Sequence, residues 1–160
     1  MKTQKIQSAF TLVELLVVIS IIGILAALSL VSFTTSQRQA RDAQRKSDLR
    51  QYSTALEGYA TRTNGLYVAE TDSTGAGAST TLCTRLGINT CPEDPKKQAD
   101  SSFFYRYQSN GTDGGTDATV YVLWDKLEST SDYWVVCSAG KIGAKAQSLW
   151  SNPSAGACPL

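Results

Sequence analysis

An apolar run dominates the first part of the chain. Between residues 12 and 33 almost every side chain is apolar, and the only charged one is Glu14. These twenty-two residues, at a rise of about 1.5 Å each, make a helix of roughly 33 Å, which is enough to cross the core of a bilayer. The pattern therefore predicts a membrane-spanning helix with one carboxylate near its start.

Glu14 needs a partner if it is to lie in an apolar environment. A carboxylate costs about 2.5–3.5 kcal/mol at the centre of a membrane and less near its edge. If the chain is cut between Ala9 and Phe10, the new α-amino group of Phe10 lies four residues before this carboxylate. In neighbouring chains staggered along one axis, the amine of one chain can meet Glu14 of the next. Such a buried ion pair favours one stagger over all others.

The helix is predicted to continue well beyond the apolar run. No proline occurs before Pro92, so we expect one helix over residues 10–62, about 80 Å long. Its last part carries apolar residues at spacings of three and four, which predicts a stripe packed against a sheet of the same chain. The stripe consists of Leu49, Tyr52, Leu56, Tyr59 and Ala60. Asn64-Gly65 predicts the turn that ends the helix, because glycine tolerates the left-handed conformation needed there.

A charged segment separates the apolar run from this stripe. Arg41, Asp42, Arg45 and Asp48 lie close together along the predicted helix. We interpret them as a solvated face laced with salt bridges. A docking surface for neighbouring subunits is the alternative interpretation.

Three aromatic and β-branched runs in the second half of the chain predict strands. They cover residues 103–108, 118–124 and 133–138. Their separations suit an antiparallel meander, one face of which would cover the helix stripe. The predicted fold class is therefore α+β, with a long N-terminal helix packed against a small antiparallel sheet.

The segments around these strands are predicted as loops. Residues 69–101 are rich in Thr, Ser, Gly and Ala, and we expect a loop with one helical turn near 81–86. The tail, 139–160, is expected to be mostly loop, with Leu149 and Trp150 as its anchors.

The N-terminal residues resemble a known family. Two leader lysines, a small residue at position 9 and the sequence FTLVELLVVISIIGILAAL are similar to the class III signal of type IV pilins and of type II secretion pseudopilins. In that family a prepilin peptidase removes the basic leader and methylates the new N-terminal Phe, and a glutamate four residues later is the assembly residue. The resemblance assigns cleavage to the Ala9–Phe10 bond, N-methylation to Phe10 and assembly to Glu14. The family usually has Gly where this chain has Ala9.

The resemblance implies a pilin fold divided into segments. These are a cleaved leader (1–9), a transmembrane and filament-core helix (10–33), an amphipathic helix half (34–62) and a globular head (63–160), with a loop at 63–102 and the sheet and C-terminal disulfide region at 103–160. The implied partners are further copies of the chain or minor pilins, the prepilin peptidase and methylase, an inner-membrane assembly platform and the membrane. The precursor would be a single-pass protein of the bacterial inner membrane with its head outside the cytoplasm. The mature subunit would belong to a cell-surface or periplasmic filament.

Charge is unevenly distributed behind a net total of +1. Residues 34–62 carry six basic and three acidic side chains, whereas residues 63–160 carry seven basic and ten acidic ones. An acidic head on a basic stem does not indicate a nucleic-acid binder, which would present a basic face.

Four cysteines in a segment expected outside the cytoplasm indicate disulfides. Of three possible connectivities we favour Cys83–Cys91, which closes a short loop, and Cys137–Cys158, which ties the tail to a strand. Zinc is the less favoured alternative, because the chain has no CxxC spacing and no histidine.

Candidate chemistry elsewhere is sparse. Asp113 and Asp117 in the segment NGTDGGTD are weak Ca²⁺ candidates, but the segment lacks the EF-hand pattern, and a hairpin loop is the preferred interpretation. Without histidine, Ser–His and Cys–His nucleophiles are excluded. We therefore expect a structural protein without a cofactor and not an enzyme.

These observations are compatible with three alternative functions. The first is the subunit of a type IV pilus-like filament, and the second is a pseudopilin of a type II secretion system. The third is a monomeric membrane-anchored binding domain that uses its aromatic sheet face or acidic loops. The second cysteine pair, and the lack of the calcium loop typical of major pseudopilins, favour the pilus subunit.

Overall fold

A computed structural model of the chain describes residues 10–70, 76–78 and 82–160. For residues 29–31 and 76 it describes the backbone only. The chain divides into two units, Met1–Gln37 and Arg38–Leu160. One long helix, α1 (Leu12–Ala60), begins in the first unit and ends in the second. The predicted leader, residues 1–9, lies outside the described residues.

Local chemistry determines where α1 begins and ends. It begins directly after Thr11, whose hydroxyl accepts a hydrogen bond from a backbone N–H in the first turn. It ends at Ala60, and the N–H of Gly65 then donates to Ala60 O at 2.8 Å. Asn64 and Gly65 both have positive φ angles, 55° and 82°. This is the turn that the Asn-Gly pair predicts.

Within the described residues, the sheet is an antiparallel meander of five strands in the order β1-β2-β3-β4-β5. The strands are β1 (Ala76–Gly77), β2 (Arg106–Ser109), β3 (Tyr121–Lys126), β4 (Tyr133–Cys137) and β5 (Ile142–Lys145). Strands β2 to β4 correspond to the three predicted runs, and the first two begin three residues later than predicted. The predicted α+β arrangement of a long N-terminal helix and a small antiparallel sheet is confirmed.

The segments on either side of the three central strands contain the helical turn predicted near residues 81–86 and two strands, β1 and β5, that the sequence does not predict. The helical turn in the connecting loop is α2 (Cys83–Leu86). In the tail, β5 pairs with β4 although its sequence, IGAK, has little β propensity. Leu149 is 70 % exposed, so its predicted role as an anchor is wrong. Trp150 does anchor the tail, because its ring stacks on that of Tyr133 with centroids 4.0 Å apart.

One face of the sheet packs on α1. Leu49, Tyr52 and Leu56 from the predicted stripe are fully buried in one core cluster with the inward side chains of the sheet. The opposite face forms a second cluster, which the C-terminal tail covers. That second cluster contains Val122, Trp124, Val135 and Cys137, with Tyr133, Trp150, Cys158 and Leu160 packed against it. Because alternate residues of β3 enter two different cores, its sequence YVLW is continuously apolar.

Candidate functional site

The first turn of α1 is closed by a reciprocal pair of side chains. Glu14 Oε2 accepts hydrogen bonds from the backbone N–H of Thr11 at 2.9 Å and from the Thr11 hydroxyl at 2.7 Å. The N–H of Glu14 donates in return to Thr11 Oγ1 at 3.2 Å. This is a capping box, with Thr11 at the N-cap and Glu14 at the third helical position. The carboxylate therefore points back towards the helix N-terminus, where the helix dipole favours negative charge.

The helix surface around this carboxylate is apolar and uncovered. Every residue from 10 to 28 is exposed, including Phe10 at 79 % and Leu16 at 54 %. Ser20 hardly adds to its polarity, because its hydroxyl donates to the backbone O of Leu16 at 2.7 Å. A Cβ atom added to Gly23 would meet nothing within 4 Å. Within the part of the chain that the structure describes, α1 is the one helix long and apolar enough to cross a membrane.

A second group of charged side chains lies inside the Arg38–Leu160 unit. Arg45 is fully buried and donates to both carboxylate oxygens of Asp94 and, at 2.8 Å, to Asp42 Oδ1. Its Nη1 lies 2.7 Å from Glu128 Oε1, and its Nε lies 3.5 Å from Asp125 Oδ2. We call these five residues, Arg45 with Asp42, Asp94, Asp125 and Glu128, the ion cluster.

The ion cluster joins three segments that are distant in sequence. Asp42 on α1 accepts hydrogen bonds from the backbone N–H groups of Glu128 and Ser129 at 2.8 and 2.9 Å, and so holds the β3–β4 turn. Asp94 belongs to the connecting loop and accepts from the N–H of Lys96 at 2.6 Å. Because α1, this loop and the β3–β4 turn all meet at Arg45, one side chain sets their mutual positions.

The solvated charged face predicted for α1 is wrong for its central residues. Asp42 and Arg45 are buried. Asp48 is half-buried, and its carboxylate accepts a hydrogen bond from the Tyr105 hydroxyl at 2.6 Å. Arg41 is also half-buried, and its guanidinium makes two hydrogen bonds with the Glu128 carboxylate, at 2.8 and 2.7 Å.

Burial and pairing shift the pKa values within the ion cluster in opposite directions. The hydrogen bond from Arg41 is the largest effect that lowers the pKa of Glu128 to about 2. Burial, reinforced by the neighbouring Asp94 carboxylate, raises the pKa of Asp125 well above its ordinary value. Its burial beside Asp94 therefore favours the protonated form of Asp125. Burial alone would lower the pKa of Arg45, but its bonds to the carboxylates outweigh burial and raise it.

Comparison with known proteins identifies the N-terminal segment. A family model described as the prokaryotic N-terminal methylation motif matches residues 4–30. The chain carries a prepilin signal. This confirms the resemblance to the signal of type IV pilins and pseudopilins. No curated protein and no solved structure matches the chain.

The prepilin signal has direct implications for processing and location. It implies cleavage by a prepilin peptidase and a membrane-associated, pilin-like assembly. Together with the apolar half of α1 it fits anchoring in the inner membrane. Of the residues assigned to the signal, Ala9 lies outside the described residues, Phe10 is exposed, and Glu14 lies in the capping box. The roles of Phe10 in methylation and of Glu14 in assembly stay predictions.

Two disulfides hold the head. They join Cys83 to Cys91 and Cys137 to Cys158, with Cα atoms 5.7 and 5.8 Å apart. These are the two pairs that the sequence favours. The first ties α2 to the loop that leads to the ion cluster, and the second holds the tail on the outer face of the sheet.

The weak Ca²⁺ candidates lie in a loop stabilised by its own hydrogen bonds. Both carboxylate oxygens of Asp117 accept from the N–H of Thr112, at 2.9 and 3.0 Å. Across the same loop, the Asn110 carboxamide bonds Thr119 and Val120. Among the described residues, no group of three or more His, Cys, Asp or Glu side chains is placed to hold a metal ion. Asp113 and Asp117 therefore belong to no such group.

The aromatic side chains of the sheet are core residues. Tyr105, Tyr107, Tyr121 and Trp124 each expose 2 % or less. The tyrosine hydroxyls are also engaged, as in Tyr107, which donates to the backbone O of Val68 at 2.6 Å. These four residues therefore do not form the aromatic binding face that a monomeric binding domain would use.

Sequence reasoning missed the capping box and the ion cluster. The capping box has a readable signal, since Thr11-Leu-Val-Glu14 is the pattern of Ser or Thr followed three residues later by Glu. The ion cluster has no such signal. Its partners Asp94 and Arg45 are 49 residues apart, and no periodicity along α1 connects them.

Proposed function

We propose that this protein is the structural subunit of a type IV pilus-like filament. It is inserted in the inner membrane as a prepilin, cleaved between Ala9 and Phe10, N-methylated at Phe10, and packed through the first half of α1 into a filament core. The observation that carries the proposal is the exposed apolar half of α1, with Glu14 at its start, in a chain with a prepilin signal.

The apolar half of α1 needs a covering that the chain itself does not supply. Its side chains are exposed from residue 10 to residue 28. Lipid covers this surface in the precursor, and the same segment of other copies covers it in the filament. Because lipid tails are as apolar as leucine, close packing and small residues decide helix association in such surroundings. Ser20 and Gly23, with Ala26 and Ala27, are the small residues available for it.

Glu14 supports this proposal through its two hydrogen bonds with Thr11. A bare carboxylate in lipid is costly, and hydrogen bonds to its charged form reduce that cost. The capping box therefore lets the precursor hold Glu14 in an apolar layer before assembly. In the filament, the methylated amine of Phe10 from a neighbouring copy supplies the opposite charge. The resulting ion pair selects one stagger between copies.

A pseudopilin of a type II secretion system is the alternative, since the same physical arrangement would build a short periplasmic filament. The disulfides that hold the connecting loop and the tail fit a head outside the cytoplasm, and they are compatible with both alternatives. Immunogold electron microscopy with antibody against the head separates the two. Long fibres outside the cell are expected, and short fibres confined to the periplasm would identify the pseudopilin.

Glu14→Gln and Glu14→Ala test the proposal. Both remove the negative charge, whereas the carboxamide of the first variant retains an oxygen that accepts from Thr11. We expect both variants to insert, to be cleaved and methylated at Phe10, and to lose more than about nine-tenths of the filament yield, a tenfold change that corresponds to about 1.4 kcal/mol.

The matched control is Thr11→Val, which removes the capping hydroxyl and keeps the charge. We expect it to retain assembly, because the backbone N–H of residue 11 still donates to the Glu14 carboxylate. Mass spectrometry of the mature N-terminus and quantification of sheared filaments give the two readouts. Filaments from Glu14→Gln at wild-type yield would show that the charge is not the assembly element.

A further inference from the structure

A groove with a basic lining lies beside the β3–β4 turn. Two clefts of about 240 and 200 Å³ flank the side chains of Phe103 and Lys126, which line both. Arg106 lines the first cleft, and Arg38 and Lys96 line the second. We call the two clefts together the basic groove.

The acidic residues of the groove do not neutralise its surface. Asp125 and Glu128 line it, but their side chains are only 1 % and 6 % exposed and face Arg45. Among the described residues, Arg38 and Lys126 form no ion pair. The groove thus presents unbalanced positive charge to its surroundings.

Acidic side chains are exposed on another loop of the same unit. The β2–β3 loop carries Asp113 and Asp117, and both are exposed. The loop is held by hydrogen bonds between Ala69 and the backbone of Gly114 and Gly115, at 3.1 and 3.0 Å. It therefore presents its carboxylates on a fixed framework.

The basic groove and this loop lie at opposite ends of the sheet. β3 begins at Tyr121, whose hydroxyl donates to Glu57 at 3.0 Å. Beyond its other end, the N–H of Glu128 donates to Asp42 at 2.8 Å. Residues 42 and 57 are fifteen positions apart on one helix, which separates the two ends by about 22 Å along the axis. The β2–β3 loop precedes Tyr121 and the groove adjoins Glu128, so the carboxylates of Asp113 and Asp117 lie at one end of the sheet and the basic groove lies at the other.

We propose that the basic groove binds the acidic β2–β3 loop of a second copy of this chain. When copies are related by a shift along the helix axis, the loop end of one head faces the groove end of another. Such a contact joins two different surfaces of the chain. One groove stays unoccupied at one end of the filament and one loop at the other, so further copies can be added without forming a closed ring. The inference rests on the proposed filament function and identifies the surfaces through which the heads meet.

Charge reversal in the full chain tests this contact. Lys126→Glu and Asp113→Lys each place like charges across it, and each is expected to lower filament yield by about tenfold or more. The double variant restores opposite charges in swapped positions and is expected to recover most of the wild-type yield. Arg50→Glu changes an exposed cation of α1 outside the groove and is the matched control. Tryptophan emission of each variant checks that the head is folded.

Cysteine cross-linking gives a second measurement that does not depend on filament yield. Cells that co-express Lys126→Cys and Asp113→Cys chains are treated with a short bifunctional maleimide, and a covalent dimer is expected only when both variants are present.

Single charge reversals with wild-type filament yield, or a double variant whose yield is no higher than that of the single variants, would overturn the inference. If wild-type protein forms no filament, the proposed function fails, and the presence or absence of the cross-link in membranes still decides the contact. Binding to phosphatidylglycerol vesicles that Lys126→Glu abolishes, without any cross-link, would assign the groove to lipid headgroups instead.

Discussion

The two halves of α1 differ in which side chains they bury. In residues 12–28 the side chains are mostly apolar and all are exposed, whereas in the second half Asp42 and Arg45 are charged and buried. The difference lies in where the partners are. The charged residues find theirs in loops of the same chain, and the apolar residues must find theirs in lipid or in other copies. A side chain of this helix is therefore buried where its partner belongs to the same chain, whether the side chain is charged or apolar.

The largest expected effect comes from removing the centre of the ion cluster. Arg45→Met leaves Asp42 and Asp94 buried without their main counter-charge, and breaking a buried pair in this way costs about 3–5 kcal/mol. The free energy of unfolding is measured by chemical denaturation of the full chain in detergent. Fluorescence of the three tryptophans reports on the head alone, since all three lie beyond residue 120.

Arg50→Met is the matched control for Arg45→Met. Arg50 is exposed on the same helix, so its loss is expected to change the free energy of unfolding by less than about 0.5 kcal/mol. Equal effects of the two substitutions would contradict the contrast between buried and solvated charge in α1.

A pair of identical substitutions sharpens the comparison between the halves. Leu49→Ala removes a fully buried side chain from the core, and we expect a loss of about 2–5 kcal/mol in the free energy of unfolding of the head. Leu16→Ala makes the same change where the side chain is 54 % exposed, and it should leave that free energy nearly unchanged. Leu16→Ala is instead expected to lower filament yield. If both variants destabilised the head equally, the apolar half of α1 would be part of its core.

The smallest effect is a dependence of stability on pH. Folding lowers the pKa of Glu128, so its contribution is present above pH of about 4.5 and is lost as the pH falls through about 2. Folding raises the pKa of Asp125, so its contribution is largest in acid and is lost as the pH rises through the neutral range. The two opposite signs predict that the ion cluster is most stabilising near pH 4 to 5 and less stabilising at pH 8.

Asp125→Asn tests the alkaline side of this dependence. Asparagine is similar in shape, can donate to Asp94 and does not titrate. We expect the variant to flatten the decline in unfolding free energy between pH 5 and pH 8, as measured by denaturation at fixed ionic strength. An unchanged slope would mean that Asp125 is not the group responsible.

Much of the fold could be predicted because it depends on short-range patterns. The length and apolarity of α1, its end at Asn64-Gly65 and the three central strands all follow from periodicity and turn residues. β5 could not be predicted because its pairing with β4, and not its own propensity, makes it a strand. At the candidate site, Glu14 was identified from its charge in an apolar run, and its bond to Thr11 is a local pattern that sequence reasoning passed over.

The sequence by itself determined that this chain has an apolar, membrane-length helix with one carboxylate, a prepilin signal and an α+β head. These properties depend on residue type and on spacings of a few residues. Only the tertiary structure decided that Arg45 is buried among carboxylates from three segments, and that basic and acidic surfaces occupy opposite ends of the sheet. Electrostatic interactions depend on distance in space, and folding brings Arg45 and Asp94 together across 49 residues of sequence.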